Sequence, residues 1–296
     1  MTDTPSDRQP LARPPSEGPW DALRQLTAAR IGLARAGASL ATAPLLDFRL
    51  AHGRARDAVH EPLDAARLAS ALAGLSDPVV AVASAAVTRS DYLLRPDLGR
   101  ALAADAAADL APHAGHYDVA FVVADGLSAR AVQTHAPPVL AGVIEKLRAS
   151  SPRSSSSTLI WRIAPLVIVR HGRVAISDAI ANALGADCVA VLIGERPGLS
   201  AADSMGAYLT FKPQAGTTDA DRNCISNIRP EGLGYADAAF KIAAMLRAMR
   251  AAGISGVRLK DDTGRLLDGE RKRSNPERLA RKLDCFVASL LAMTSF

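Results

Sequence analysis

Two blocks of this chain set hydrogen-bonding side chains where a ligand could be met. In the first, Val189-Ala190-Val191-Leu192-Ile193-Gly194 runs straight into Glu195-Arg196-Pro197-Gly198-Leu199. A short apolar run rich in β-branched residues is the pattern of a strand covered on both faces. Gly194, Pro197 and Gly198 end it abruptly, which places Glu195 at the strand's carboxyl end, the edge where doubly wound sheets bind ligands. The second block, Asp221-Arg222-Asn223-Cys224-Ile225-Ser226-Asn227-Ile228-Arg229-Pro230, is dense in donors and acceptors and has neither helical nor strand periodicity. Read alone, Glu195 is a partner for Arg196 or another surface arginine, and Cys224 a buried structural thiol.

Other chemistry is missing from the pattern. No Gly-x-Gly-x-x-Gly opens a helix after a strand, and no Gly-x-Ser-x-Gly or His-Glu-x-x-His occurs. Gly264 and Gly269 have the spacing of a phosphate loop, but Glu270-Arg271 follows where Lys and Ser or Thr are required. The histidines at 52, 60, 113, 116, 135 and 171 are scattered; His113 and His116 have ligand spacing without a third ligand nearby, so no metal site is assigned.

The elements that must position the two blocks follow from periodicity. Residues 1–19 hold five prolines among polar residues and read as a disordered tail. Helices are predicted over 20–36, with Gly37 as a stop, from a cap at Thr42 onward, and over 64–75, giving a helical N-terminal region over 20–95. From Pro78 on, strands at 79–82, 118–124, 163–170 and 189–194 alternate with helices near 98–110, 127–133, 139–149, from Ser177, and 237–252. A serine-rich loop lies between, at 150–157. That alternation predicts an α/β fold: a helical N-terminal region, then a Rossmann-like, mostly parallel sheet with helices on both faces, over 96–262. Residues 263–296 form a basic extension with an amphipathic helix predicted near 276–293.

Composition narrows the function classes. Of 296 residues 49% are apolar and only 4% aromatic, the balance of a globular protein with a core of small aliphatic side chains. No segment has the roughly 20 apolar residues a membrane span needs, and the N-terminus has no apolar run of a secretory signal. Cys188, Cys224 and Cys285 form no disulfide framework, which favours the reducing cytoplasm. The net charge is +5, and nine basic residues between Arg258 and Lys282 crowd the C-terminal end without interleaved aromatics, which reads as a solvated tail rather than a nucleic-acid surface.

The two blocks, taken with others in the same order, are closely similar to the small subunit of ethanolamine ammonia-lyase. The similarity takes in Trp20-Asp21-Ala22-Leu23-Arg24, Leu45-Leu46-Asp47-Phe48, Arg54-Ala55-Arg56-Asp57-Ala58-Val59-His60, Val123-Ala124-Asp125-Gly126-Leu127-Ser128-Ala129, the residues from Gly194 to Leu199, and Arg222 with Asn223 to Arg229. It runs collinearly from about residue 20 to 260. The resemblance implies adenosylcobalamin as cofactor, held between this chain and a large catalytic subunit, in a higher-order oligomer of heterodimers. It implies conversion of ethanolamine to acetaldehyde and ammonia by radical rearrangement. The absence of an Asp-x-His-x-x-Gly motif agrees with a cofactor that keeps its own dimethylbenzimidazole on cobalt. The family's cobalamin contacts fall on Val174, Glu195 and Cys224, with no catalytic residue in this chain and cobalt held by the corrin. Val174 would offer packing or a backbone group; without the family it is an apolar residue after a turn. Asp125-Gly126, at another strand end, lines the same crevice or caps a helix.

The implied location is the cytoplasm, with enclosure in a bacterial microcompartment as one form of it; no nucleic acid or membrane is implied. Two rival readings are a stand-alone mononucleotide-binding α/β transferase, which lacks its phosphate-cradling loop here, and a non-enzymatic microcompartment scaffold.

Overall fold

The computed structural model describes residues 19–149 and 160–260. The chain enters through α1 (Pro19–Arg24), a hairpin of β1 (Arg35–Ala36) and β2 (Ser39–Leu40), α2 (Thr42–His60) and α3 (Ala65–Leu72). There follow β3 (Val79–Ala83), α4 (Arg89–Leu94), α5 (Ala106–Leu110), β4 (Tyr117–Ala124) and α6 (Ala129–Arg148). Next come β5 (Leu166–Arg170), α7 (Ile176–Leu184), β6 (Ala186–Gly194), β7 (Met205–Phe211), β8 (Asn223–Ile228) and α8 (Tyr235–Ala252).

Six strands form one sheet in the order β3-β5-β4-β6-β7-β8. The first four are parallel, and β7 and β8 add to β6 as antiparallel neighbours. β4 and β6 are apolar almost throughout because both of their faces are covered. On one face α3, α6 and α8 close a core around Phe121, Leu192 and Leu209; on the other α5 and α7 close a second around Val122, Val191 and Ile180. Each fully buried side chain of this size contributes about 1.5–3 kcal/mol. The expected class, a mostly parallel sheet with helices on both faces, is the one observed.

Several element boundaries differ from the periodic reading, each for a local reason. The helix over 20–36 stops at Arg24: Arg24 Nη1 donates to the Gly32 carbonyl at 2.9 Å, and Gly32, at φ +56°, brings the chain back against the Trp20 ring. Thr42 is the first residue of α2, not its cap; Ala41 holds that place without a side-chain bond. The apolar residues of α2 are not core, since only Ala55 and Ala58 are buried while Leu46, Phe48 and Leu50 are exposed. The two helices expected over 127–133 and 139–149 are one, α6, running through Pro137 and Pro138. Ten buried side chains on that helix offset the hydrogen bonds the prolines remove. The segment near 98–110 is a single 3-10 turn and the short α5, and the strand expected over 163–170 begins only at Leu166, with Ile163 as an isolated bridge to Val119.

The largest correction is at the sheet's edge. The block at 221–230 contains β8, and β7 carries no expectation at all. Residues 1–18, the serine-rich loop and the basic extension with its helix lie outside the described residues.

The end of β6 is closely packed against the end of β4. A Cβ on Gly194 would collide with the carbonyl oxygens of Ser128 and Asp125, and Leu127 N donates to the Gly194 carbonyl at 2.9 Å. Gly194→Ala is therefore expected to lower stability by about 1–3 kcal/mol, the usual cost of overpacking. Urea denaturation measures it; an unchanged midpoint would contradict the close packing.

Candidate functional site

Glu195 sits where the sequence placed it, one residue beyond β6. Its own N–H donates to the Ser204 carbonyl at 3.0 Å, so the backbone is held before the side chain is considered. Ser204 Oγ donates to Oε2 at 2.6 Å, and the Asn227 N–H is shared between Oε1 and Oε2 at 3.3 Å each. Gly206 supplies room: a Cβ there would lie 2.9 Å from Oε1. Among the described residues Glu195 forms no ion pair, and the alternative partner Arg196 is exposed. A carboxylate has about four lone-pair sites, and these two donors leave capacity for an incoming N–H.

The face on which this carboxylate lies is open. Alternation along β7 sends Met205, Ala207 and Leu209 into the core beneath α8 and turns Gly206, Tyr208 and Thr210 the other way. On β8, Ile225 and Ile228 are core, while Cys224 and Ser226 are exposed on the side of Tyr208. α7 packs mainly on β4 and β6, where Tyr208 meets the second core, so the exposure on this side falls on β8.

Tyr208 and Cys224 are directly opposed across β7 and β8. Burial holds the Tyr208 hydroxyl up at about 12, with the Cys224 sulfur and Glu195 adding to it. Burial also raises the Cys224 thiol, with Glu195 pushing further the same way and the Tyr208 hydrogen bond opposing. At neutral pH Cys224 is a thiol, small and polarizable, rather than a thiolate nucleophile.

β8 escapes periodic reading because Asn227 adopts φ +57° and the β7 pairing slips between Met205 and Ala207, so alternation fails. Arg229 Nε donates to Asn227 Oδ1 at 2.9 Å and Arg229 Nη1 to the Ser200 carbonyl at 3.2 Å, fixing the bulge against the loop after β6.

Arg222, just before β8, joins this edge to α7. Its side chain is 1% exposed and makes a two-pronged contact with Asp178, Nη1 to Oδ1 at 2.7 Å and Nη2 to Oδ2 at 2.6 Å, with Thr210 Oγ1 at 3.0 Å from Nη1. Removing either partner of such a buried pair costs about 3–5 kcal/mol, because the other charge is left uncompensated.

Val174 stands apart from Glu195 and Cys224, in the turn between β5 and α7. It lines a cavity of about 400 Å³ with Arg100, Arg173, Thr218 and Arg222. Asp125 is at the end of β4 and is buried; Oδ1 accepts from the Gly172 N–H at 3.2 Å and Oδ2 faces Arg89 Nη1 at 3.5 Å. It is neither exposed on the open face nor a helix cap; Ser128 caps α6. Burial pushes its carboxyl above the usual carboxylate range.

The structure thus brings Glu195 and Cys224 onto one face and puts Val174 in an adjoining hollow. It adds Ser204, Gly206, Tyr208 and Asn227. Among these only Asn227 lay in a block the sequence singled out, and the others follow from the register of β7. Among the described residues no three His, Cys, Asp or Glu side chains are grouped to hold a metal ion, and no helix is long and apolar enough to cross a membrane.

Comparison with known proteins gives a consistent result. The family model for ethanolamine ammonia-lyase light chain (EutC) matches residues 17–260. The chain is 52% identical over 251 residues to the ethanolamine ammonia-lyase small subunit of Ralstonia nicotianae, covering 83% of this chain and 89% of that protein. It is 50% identical to the small subunit of Azotobacter vinelandii over 261 residues, covering 87% and 92%. It is 47% identical to that of Pseudomonas aeruginosa over 271 residues, covering 90% and 96%.

Alkylation by iodoacetamide, followed by mass spectrometry at Cys224, tests the open face. The pH midpoint is expected above that of a free thiol, about 8.5, and to fall in Glu195→Gln. A midpoint at or below 8.5, or one indifferent to Glu195, would separate the two residues.

Proposed function

This chain belongs to the ethanolamine ammonia-lyase light-chain family, and from that premise we propose that it is the cobalamin-covering subunit of a heteromeric, adenosylcobalamin-dependent lyase. The complex would convert ethanolamine to acetaldehyde and ammonia, with the substrate and the reacting residues on a large subunit. The observation that carries the reading is the open face of β7 and β8, where a partly exposed carboxylate is held rigid by neutral donors beside small side chains.

That face fits the edge of a corrin ring. The ring's rim carries carboxamide side chains, which offer N–H donors and carbonyl acceptors without charge. Glu195 would accept from one of these amides, and Ser204 and Asn227 hold its two oxygens in place for that contact. The exposed, small Cys224 leaves room for a flat, bulky ligand to approach β8, and Tyr208 offers a hydroxyl beside it. Val174 would touch the ligand from the adjoining hollow. When bound, the cofactor supplies a cobalt–carbon bond whose homolysis begins the radical chemistry. This chain's part is to orient the corrin and, with its partner, to exclude water.

The reading extends to the arrangement of the chain. Residues 20–95 would be a helical N-terminal domain that lends β3 to the sheet, and 96–262 a Rossmann-like domain that meets cobalamin. The heterodimers would assemble further, in the cytoplasm or within a microcompartment.

Two outcomes test the proposal. The purified chain alone is expected to show negligible lyase activity, appearing on addition of the large subunit and adenosylcobalamin; turnover by this chain alone would overturn the division of labour. Glu195→Gln is expected to weaken adenosylcobalamin binding by the assembled pair about 10- to 100-fold, the worth of a hydrogen bond to a charged group. Titration followed by corrin absorption measures it, and an unchanged affinity would remove Glu195 from the contact.

A further inference from the structure

The loop that follows Glu195 is tied down along its length. Arg229 Nη1 donates to the Ser200 carbonyl at 3.2 Å, Ser128 Oγ to the Ala202 carbonyl at 3.1 Å, and Ser204 Oγ to Glu195 itself. Asp203 sits between the last two anchors, and its Oδ2 faces His135 Nε2 at 3.9 Å, one step longer than a hydrogen bond. His135 projects from α6, is 2% exposed, and its buried Nε2 has no hydrogen-bond partner. A buried ring nitrogen left unpaired is costly, and each such group in a folded chain calls for an explanation.

The other ring nitrogen fixes which proton is available. His135 Nδ1 lies 2.7 Å from the Tyr235 hydroxyl at the start of α8, with the two rings tilted against each other. Burial holds that hydroxyl above its ordinary value, with Asp203 and Glu231 adding to it, so it keeps its proton and donates it to Nδ1. A neutral ring that accepts at Nδ1 carries its own proton on Nε2, aimed at Asp203. The other charged groups that act on the ring are Glu231 and Arg229 from the turn before α8; the sheet and α3 meet α6 through apolar side chains. Burial keeps His135 below the ordinary histidine value, with the Asp203 carboxylate and backbone, then Glu231, opposing and Arg229 adding.

We propose that His135 is a positioning residue for Glu195: its Nε2–H draws the Asp203 carboxylate against α6 and, through the next peptide, keeps Ser204 on Glu195. The effect on the ligand rests on the cobalamin reading above, whereas the hold on Glu195 does not. As pH falls through the ring's midpoint, Tyr235 turns from donor to acceptor and the bond to Asp203 becomes charge-assisted, about twice as strong as a neutral one. Acidification therefore tightens the hold.

The test uses the full chain, alone and assembled with its large subunit. Adenosylcobalamin affinity of the assembled pair, read from corrin absorption, is expected to rise about 2- to 10-fold between about pH 7 and pH 5. The midpoint should lie below about 6.5 and match that of the His135 ring followed by NMR. Asp203→Ala, a change at a half-exposed side chain that is safe for folding, should remove the step and lower the His135 midpoint. His135→Gln restores an N–H near Nε2 that cannot titrate; it should bind more tightly than His135→Leu and show no step. A step that survives these substitutions, or is absent from the unmodified pair while Glu195→Gln still weakens binding, would overturn the positioning role and leave the Glu195 contact standing. So would equal binding by His135→Gln and His135→Leu. Alkylation of Cys224 in the chain alone reads the hold without cofactor: in Asp203→Ala the released Glu195 turns to solvent and the Cys224 midpoint should fall, and an unmoved midpoint would overturn the hold. If Cys224 responds while no substitution, Glu195→Gln included, alters corrinoid affinity, the hold stands and the cobalamin reading falls.

Discussion

Uneven cover of β7 and β8, complete on one face and thin on the other, is the constraint from which the rest follows. α8 packs beneath them and fills one side with Met205, Ala207, Leu209, Ile225 and Ile228. α7 lies mainly on β4 and β6; on the opposite side of the antiparallel pair Thr210 is buried and Tyr208 packs against the second core, while Cys224 and Ser226 on β8 stay exposed. A sheet face with thin cover must be polar, small, or met by something else. Here it is lined by Gly206, Tyr208, Thr210, Cys224 and Ser226, with a carboxylate folded over one end.

Keeping such a face in register requires polar groups to be tied down where apolar packing is absent. Arg222 does this at one end, spanning from the start of β8 to Asp178 in the first turn of α7, with Thr210 also engaged. Asn227 and Arg229 do it at the other, where a residue in the left-handed region turns the N–H of Asn227 toward Glu195. The two anchors have different chemistry. The buried ion pair fixes geometry through full mutual compensation of charge, while Glu195 is held by neutral donors alone, with no cation paired to it among the described residues. A third anchor, Asp125 with Arg89 and the Gly172 N–H, closes the carboxyl edge between β4 and β5. That edge is where a doubly wound sheet ordinarily receives a ligand; here buried side chains occupy much of it, and the uncovered face lies beyond it, on the antiparallel extension.

How far this was readable in advance depends on whether local pattern and tertiary contact agree. The apolar runs of β4 and β6 are long and unbroken, so both strands and the position of Glu195 at a strand end could be read directly. The helical reading of α2 was correct in kind, but its large apolar side chains are exposed, and nothing in their spacing distinguishes a core face from an outer one. α6 passes through Pro137 and Pro138 because its buried face outweighs two weak positions in the backbone, an effect that no local propensity contains.

The order of residue types alone determined the alternation of strands and helices, the carboxylate beyond β6, and the family, since collinear similarity survives whatever the chain's shape. Only the tertiary structure decided that the block at 221–230 is an edge strand, because a bulge at Asn227 destroys the alternation by which strands are read and long-range pairing with β7 restores it. It also decided that Tyr208, Cys224 and Glu195 share one face while Val174 sits in a hollow among arginines. Those residues come from separate strands and turns, and their meeting is set by the register of a sheet, which hydrogen bonds between distant segments fix and local sequence does not encode.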